Sequence, residues 1–113
     1  MTEPMASDLR TVLVTAPDAG TAESLAQAVV VERLAACVNL VPGVVSVFRW
    51  EGQVRRDEEI LLVLKTTAER VEALRERVVA LHPYDVPEVL VLAVADSHEP
   101  YRAWVQGQVE VSS

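Results

Sequence analysis

Between positions 81 and 88 the chain reads Leu-His-Pro-Tyr-Asp-Val-Pro-Glu, a short stretch holding one of its two histidines, one of its two tyrosines, two prolines and two carboxylates. Each proline fixes its own φ and pushes the residue before it out of the α region, so His82 and Val86 are expected to be extended and the loop between them stiff. A stiff loop aims its side chains. His82 is the obvious imidazole for a metal and Cys37, the single cysteine, the obvious thiolate. These are donors that copper and zinc favour, at about 2.0–2.3 Å from the ion. Each also has a plainer use: a histidine at a helix end meets the exposed carbonyls there, and a cysteine after Leu34-Ala35-Ala36 packs as a small hydrophobe.

Lys65 is the only lysine against nine arginines, and it follows five apolar residues. It either lays its stem over the core with the ammonium in water, or holds an anion in a cleft with Tyr84 and Glu88 supplying a hydroxyl and a carboxylate. Trp50 is a further cleft candidate, with packing as its plainer role, while Tyr101 and Trp104 read as packing or interface residues. Asn39 satisfies backbone groups, and His98, between Asp96 and Glu99, reads as a solvated cap. Asp57-Glu58-Glu59 attracts cations only diffusely and lacks the ligand pattern of a calcium loop. The sequence has no P-loop, HExxH, GxSxG or glycine-rich dinucleotide fingerprint, so a catalytic role is not expected.

The elements that must position these groups follow from periodicity. Thr11 to Thr15 is β-rich and ended by Pro17-Asp18; Ala22, Leu25, Ala26, Val29, Val30 and Leu34 then recur at helical spacing, with Asp18 or Thr21 able to cap the helix. Cys37 to Val41 reads as a second strand, Pro42-Gly43 as a turn, and Val44 to Trp50 as a strand leading to a turn near Glu51-Gly52. Arg55 to Glu59 is expected at a solvated hairpin tip, with Ile60 to Leu64 re-entering the core. Thr66 and Glu69 have capping-box spacing for a second helix carrying Val71, Leu74, Val78 and Leu81, which Pro83 stops. Val89 to Val94 reads as a fourth strand, Glu99 to Val105 as a short helix, and 106–113 as a short strand or loose tail.

This order implies two βαβ units with both main helices on one face of an antiparallel sheet: an α+β, ferredoxin-like (split βαβ) fold. The domain is expected over 9–113, after a flexible N-terminal tail at 1–8. Ile60 to Leu64 and Val89 to Val94 are apolar without alternation, as in strands covered on both sides. Since no segment remains for the second face, a closed homo-oligomer is expected, sheet face toward sheet face.

The 113 residues bound the answer to one domain, and half of them are hydrophobic. Seventeen acids against ten bases give a net charge of −7, which repels phosphate backbones and anionic lipid, so no nucleic acid or membrane partner is expected. The N-terminus has neither the cationic start nor the apolar stretch of a secretion signal, and a lone cysteine fits a reducing compartment, so the expected location is cytoplasmic.

Six strings make the reading specific: residues 12–18 (VLVTAPD), 32–39 (ERLAACVN), 41–43 (VPG), 50–52 (WEG), 64–67 (LKTT) and 82–88 (HPYDVPE). In this order and spacing, from about Leu9 to Val105, the chain resembles the CutA divalent-cation tolerance proteins. The resemblance implies a tight homotrimer of ferredoxin-like protomers, similar in shape to the PII signalling proteins, cytoplasmic, and linked to tolerance of divalent metals and to copper binding. The family's proposed copper ligands are a cysteine near the end of the first strand and two histidines before Pro-Tyr. The matching positions here are Val14, Leu81 and His82, of which only His82 carries a donor. Two functions follow: weak binding of copper or another divalent cation through His82 with Cys37 or carboxylates, or a PII-like trimer receiving a small anion or a partner protein in clefts near Lys65, Tyr84 and Glu88.

Overall fold

A computed structural model describes residues 8–110. The chain runs β1 (Leu9–Ala16), α1 (Ala19–Val31), β2 (Cys37–Trp50), β3 (Gln53–Thr67), α2 (Val71–Leu81), β4 (Leu90–Ala93) and α3 (Glu99–Val109). The sheet order is β2-β3-β1-β4 with every neighbouring pair antiparallel, the split-βαβ arrangement expected from the element order. The proposed tail at 1–8 lies, apart from Asp8, outside the described residues, as do the last three residues of the chain.

Alternation along the strands sorts side chains to two faces. Val12, Val14 and Ala16 of β1 and Leu62 and Leu64 of β3 point to one side, where they bury against Leu25 and Val29 of α1 and Leu74 and Val78 of α2. Asp18 caps α1, its Oδ1 accepting from the Thr21 amide at 2.7 Å, which decides between the two capping candidates. That hydrogen bond holds the Asp18 carboxyl below its ordinary pKa.

Three local expectations are corrected. Pro42-Gly43 is not a turn: β2 continues through it with a register shift between Val41 and Val44, Gly43 supplying a φ of 77°. The charge run is not the hairpin tip: the chain reverses at Glu51-Gly52, both at positive φ, and residues 55–59 form rungs opposite Val44 to Phe48. β1 stops at Ala16 opposite Ile60, because Pro17 has no amide to extend the ladder, so beyond Ile60 the hairpin is a two-stranded ribbon whose charged residues can face water. Thr66 does not cap α2. Its buried hydroxyl donates to the Leu34 carbonyl at 2.7 Å, tying β3 to the exit of α1, and a 3₁₀ turn at Ala68–Arg70 precedes α2 instead.

α3 is longer than expected, running through Val109, so the short strand or tail read from Gln106 is helical up to that point. Its Val105 and Val109 bury against Leu9 and Ala36. Leu9 alternates with Thr11 and Leu13, so α3 covers one end of the face opposite α1 and α2, which corrects the expectation that no segment remains for it. The rest of that face stays apolar and open: Leu90 and Leu92, opposite Leu13 and Thr11, are 54% and 47% exposed.

Candidate functional site

The loop after α2 is built as its prolines require. His82 ends the helix with its amide on the Val78 carbonyl and its backbone extended at φ −77°, ψ 138°. Its ring is buried, 8% exposed, and both nitrogens are engaged: Nε2 lies 2.7 Å from the Thr15 carbonyl oxygen, and Nδ1 accepts from the Tyr84 amide at 3.1 Å. A carbonyl only accepts and an amide only donates, so the proton sits on Nε2 and the Nδ1 lone pair is taken. His82 thus fastens the loop to the end of β1.

Tyr84 fastens it to β3. Its ring lies 4.7 Å from that of His82, and its hydroxyl donates to Glu59 Oε2 at 2.9 Å. Burial first, then the hydrogen bond to Glu59 and its charge, with smaller contributions from Asp57 and Asp18, push the phenol up to about 12.

Between this loop and the ribbon lies a cleft of about 670 Å³. Ser46, Phe48 and Trp50 of β2 and Arg55, Asp57 and Glu59 of β3 line one side; Pro83, Tyr84, Asp85, Val86 and Glu88 line the other. The structure thus brings together Tyr84, Glu88 and Trp50. It does not bring Lys65 to them: Lys65 stands six residues along β3 from Glu59, roughly 20 Å at the rise of an extended strand, on a rung with Cys37 and Thr11. Tyr101 is close enough to Cys37 for the thiolate charge, after burial, to raise its phenol, and its ring pairs with Trp104 at 5.7 Å. Cys37 and His82 are therefore separated along the sheet, Cys37 on the rung of Thr11 and His82 at the carbonyl of Thr15, roughly 13 Å further along β1 at the rise of an extended strand. Val14 is wholly buried among hydrocarbons, and Leu81 is a half-exposed alkyl group. His98 is the N-cap residue of α3 without a side-chain capping bond.

Glu59 is the site residue that the sequence reading passed over. It belongs to an acidic run that reads as solvated, yet it is 8% exposed. The signal was its alternation with Leu61 and Val63, which puts it on the inner end of that face rather than at a tip.

Among the described residues no three His, Cys, Asp or Glu side chains converge as a metal site. His82 could bind an ion only by giving up Thr15 or Tyr84, so the residues of one chain do not fit a tight copper or zinc centre. Nor does any helix among them have the length and apolarity to cross a membrane.

Residues 10–108 match the family model of the CutA1 divalent ion tolerance protein. The chain is 50% identical over 95 residues to the divalent-cation tolerance protein CutA of Thermus thermophilus, covering 84% of this chain and 92% of that protein. It superposes on the crystal structure of CutA from Xylella fastidiosa with a TM-score of 0.90 at 39% identity, over 92% of this chain and 100% of that one. It is similar also to the periplasmic divalent cation tolerance protein CutA from Archaeoglobus fulgidus, with a TM-score of 0.88 at 30% identity over 90% of this chain and 99% of that one.

Proposed function

The chain belongs to the CutA1 divalent ion tolerance family, and from that membership we propose that it acts in the cellular response to divalent cations, copper among them, as a cytoplasmic homotrimer that holds the ions weakly. The observation that carries the assembly is the part of the face opposite α1 and α2 that α3 leaves uncovered: Leu90, Leu92 and Val41 lie open around Leu13, Leu61 and Val63, a contiguous exposed apolar patch of the kind that marks an interface. The two-stranded ribbon points the same way, since an isolated hairpin is marginal without a neighbour to pack on. Weak ion contact follows from the donors. A single chain offers separated groups, His82 on its loop and Cys37 near α3, so a donor set of two or three requires copies of the chain brought together.

Light scattering in dilute solution tests the assembly. About 37 kDa, three times 12.4 kDa, is expected, and a stable monomer overturns it. Titration of Cu²⁺ into the wild type, His82→Ala and Cys37→Ala tests the donors: lower heats in a variant support its residue, and equal heats in all three remove both. Cell fractionation tests the location, the Archaeoglobus relative being named for the periplasm.

A PII-like role, with a ligand or partner received in a cleft, draws support from the 670 Å³ cleft itself. Four carboxylates face one arginine there and Lys65 is distant, so a small anion is the poorer match. A melting-temperature screen of anionic metabolites, with Lys65→Ala as control, tests it; the absence of any shift overturns the anion reading.

A further inference from the structure

We propose that in the homotrimer the outer face of each ribbon, carrying Val47, Arg49, Val54 and Arg56, seats against Asp85, Val86 and Glu88 of the next copy, at the mouth of its cleft. This rests on the homotrimer reading and names two surfaces that meet in it. Val45, Val47 and Arg49 of β2 stand opposite Glu58, Arg56 and Val54 of β3, so the six share the face of the ribbon opposite Phe48, Trp50 and Asp57. All six are exposed, Val47 and Val54 at 67% each. Among the described residues no carboxylate lies within ion-pair distance of Arg49 or Arg56.

The loop offers the complement. Asp85, Val86 and Glu88 are exposed, Val86 at 70%, and among the described residues no arginine or lysine pairs with either carboxylate. One surface alternates valine with arginine and the other sets a valine between two carboxylates, so a single contact joins apolar to apolar and charge to opposite charge. The pleat turns Arg49 and Arg56 away from the loop of their own chain, which leaves that of a neighbour. Copies carrying a net charge of −7 repel one another, and an arginine patch is where a second copy can approach. From Glu59 to Gln53 the ribbon projects roughly 20 Å past the end of β1, far enough to reach across, and it gains the packing that a lone hairpin lacks. Because the two surfaces differ, the contact is heterologous and repeats around the ring until three copies close it.

The test is light scattering of the intact chain through a urea titration at fixed protein concentration, read as the midpoint at which the trimer is lost. Arg49→Glu with Arg56→Glu, and separately Asp85→Arg with Glu88→Arg, should each lower that midpoint, by an amount equal to a roughly tenfold or greater weakening of association, because attractions become repulsions. Added NaCl should narrow the difference. All four substitutions in one chain should restore the midpoint, since a reversed ribbon then meets a reversed loop. Arg75→Glu, an exposed site on α2, should leave it unchanged. Circular dichroism checks that each chain folds. Double variants as resistant as the wild type, or a folded fourfold variant no better than the doubles, would overturn the docking while a trimeric wild type kept the assembly. A wild type that is monomeric before any urea is added would overturn both.

Discussion

Replacing Tyr84 by phenylalanine removes one atom and isolates the bond that closes the loop onto β3. The hydroxyl donates to a carboxylate at 2.9 Å, and such charge-assisted bonds contribute about 1.5–3 kcal/mol when buried. The tyrosine itself is 37% exposed, so water replaces part of what is lost, and the expected destabilisation is nearer to about 1 kcal/mol. The pH dependence supplies a second reading. The phenol of Tyr84 is raised in the folded chain to about 12 from an ordinary 10. Below pH 10 the tyrosine is protonated folded or unfolded, and its contribution is complete. Between 10 and 12 the unfolded chain releases the proton and the folded one does not, so the contribution is lost as pH rises through that window. Denaturant unfolding of wild type and Tyr84→Phe at pH 8 and near pH 11.5 should therefore show a gap that shrinks at the higher pH. A variant as stable as wild type at pH 8, or a gap unchanged at pH 11.5, would refute the assignment of this bond as the fastening of the loop.

Three further outcomes are expected. His82→Ala removes two bonds to backbone groups and leaves the Thr15 carbonyl and Tyr84 amide unpaired, so it should cost about 3 kcal/mol and broaden the 82–88 amide signals, measured by thermal melting and amide spectra. Thr66→Val, nearly the same shape, strands the buried Leu34 carbonyl and should cost about 1–2 kcal/mol in denaturant unfolding; a neutral result would mean that another donor reaches that oxygen. Gly52→Ala, at φ 78°, forces a side chain into a left-handed turn and should cost about 1 kcal/mol, read as a lower denaturation midpoint with an unchanged slope.

The parts of the fold legible in the sequence were those governed by local pattern. The 3.6-residue repeat of Leu25 and Val29, the run from Val12 to Val14 and the stop at Pro83 each act within a few positions, and the sheet order follows once the element order is known. What escaped depends on contacts across the chain. Nothing near Thr66 marks its hydroxyl for Leu34, and the capping-box spacing offered a local use that the tertiary contact overrode. Glu59 and Tyr84 are 25 residues apart, so the bond joining them has no local signature. The loop and its extended His82 are legible because its prolines constrain the backbone on the spot. Its counterpart on β3 stayed hidden inside a charge run whose other members do face water.

The cleft exists because the strands are unequal. β1 must end at Ala16, where Pro17 closes the ladder and Asp18 turns the chain into α1, while β2 and β3 continue to Trp50 and Gln53. This leaves a ribbon with no third strand, and the gap beside it is where the loop after α2 arrives, held by the Thr15 carbonyl from one side and Glu59 from the other. Stiffness in the loop and length in the hairpin are therefore two halves of one device: shorten the ribbon and Phe48 and Trp50 leave the wall, loosen the prolines and Tyr84 and Glu88 leave it. The same inequality exposes Val45, Val47 and Val54 on the ribbon, so whatever steadies the hairpin, whether a second copy of the chain or a ligand in the cleft, acts on the shape of both at once.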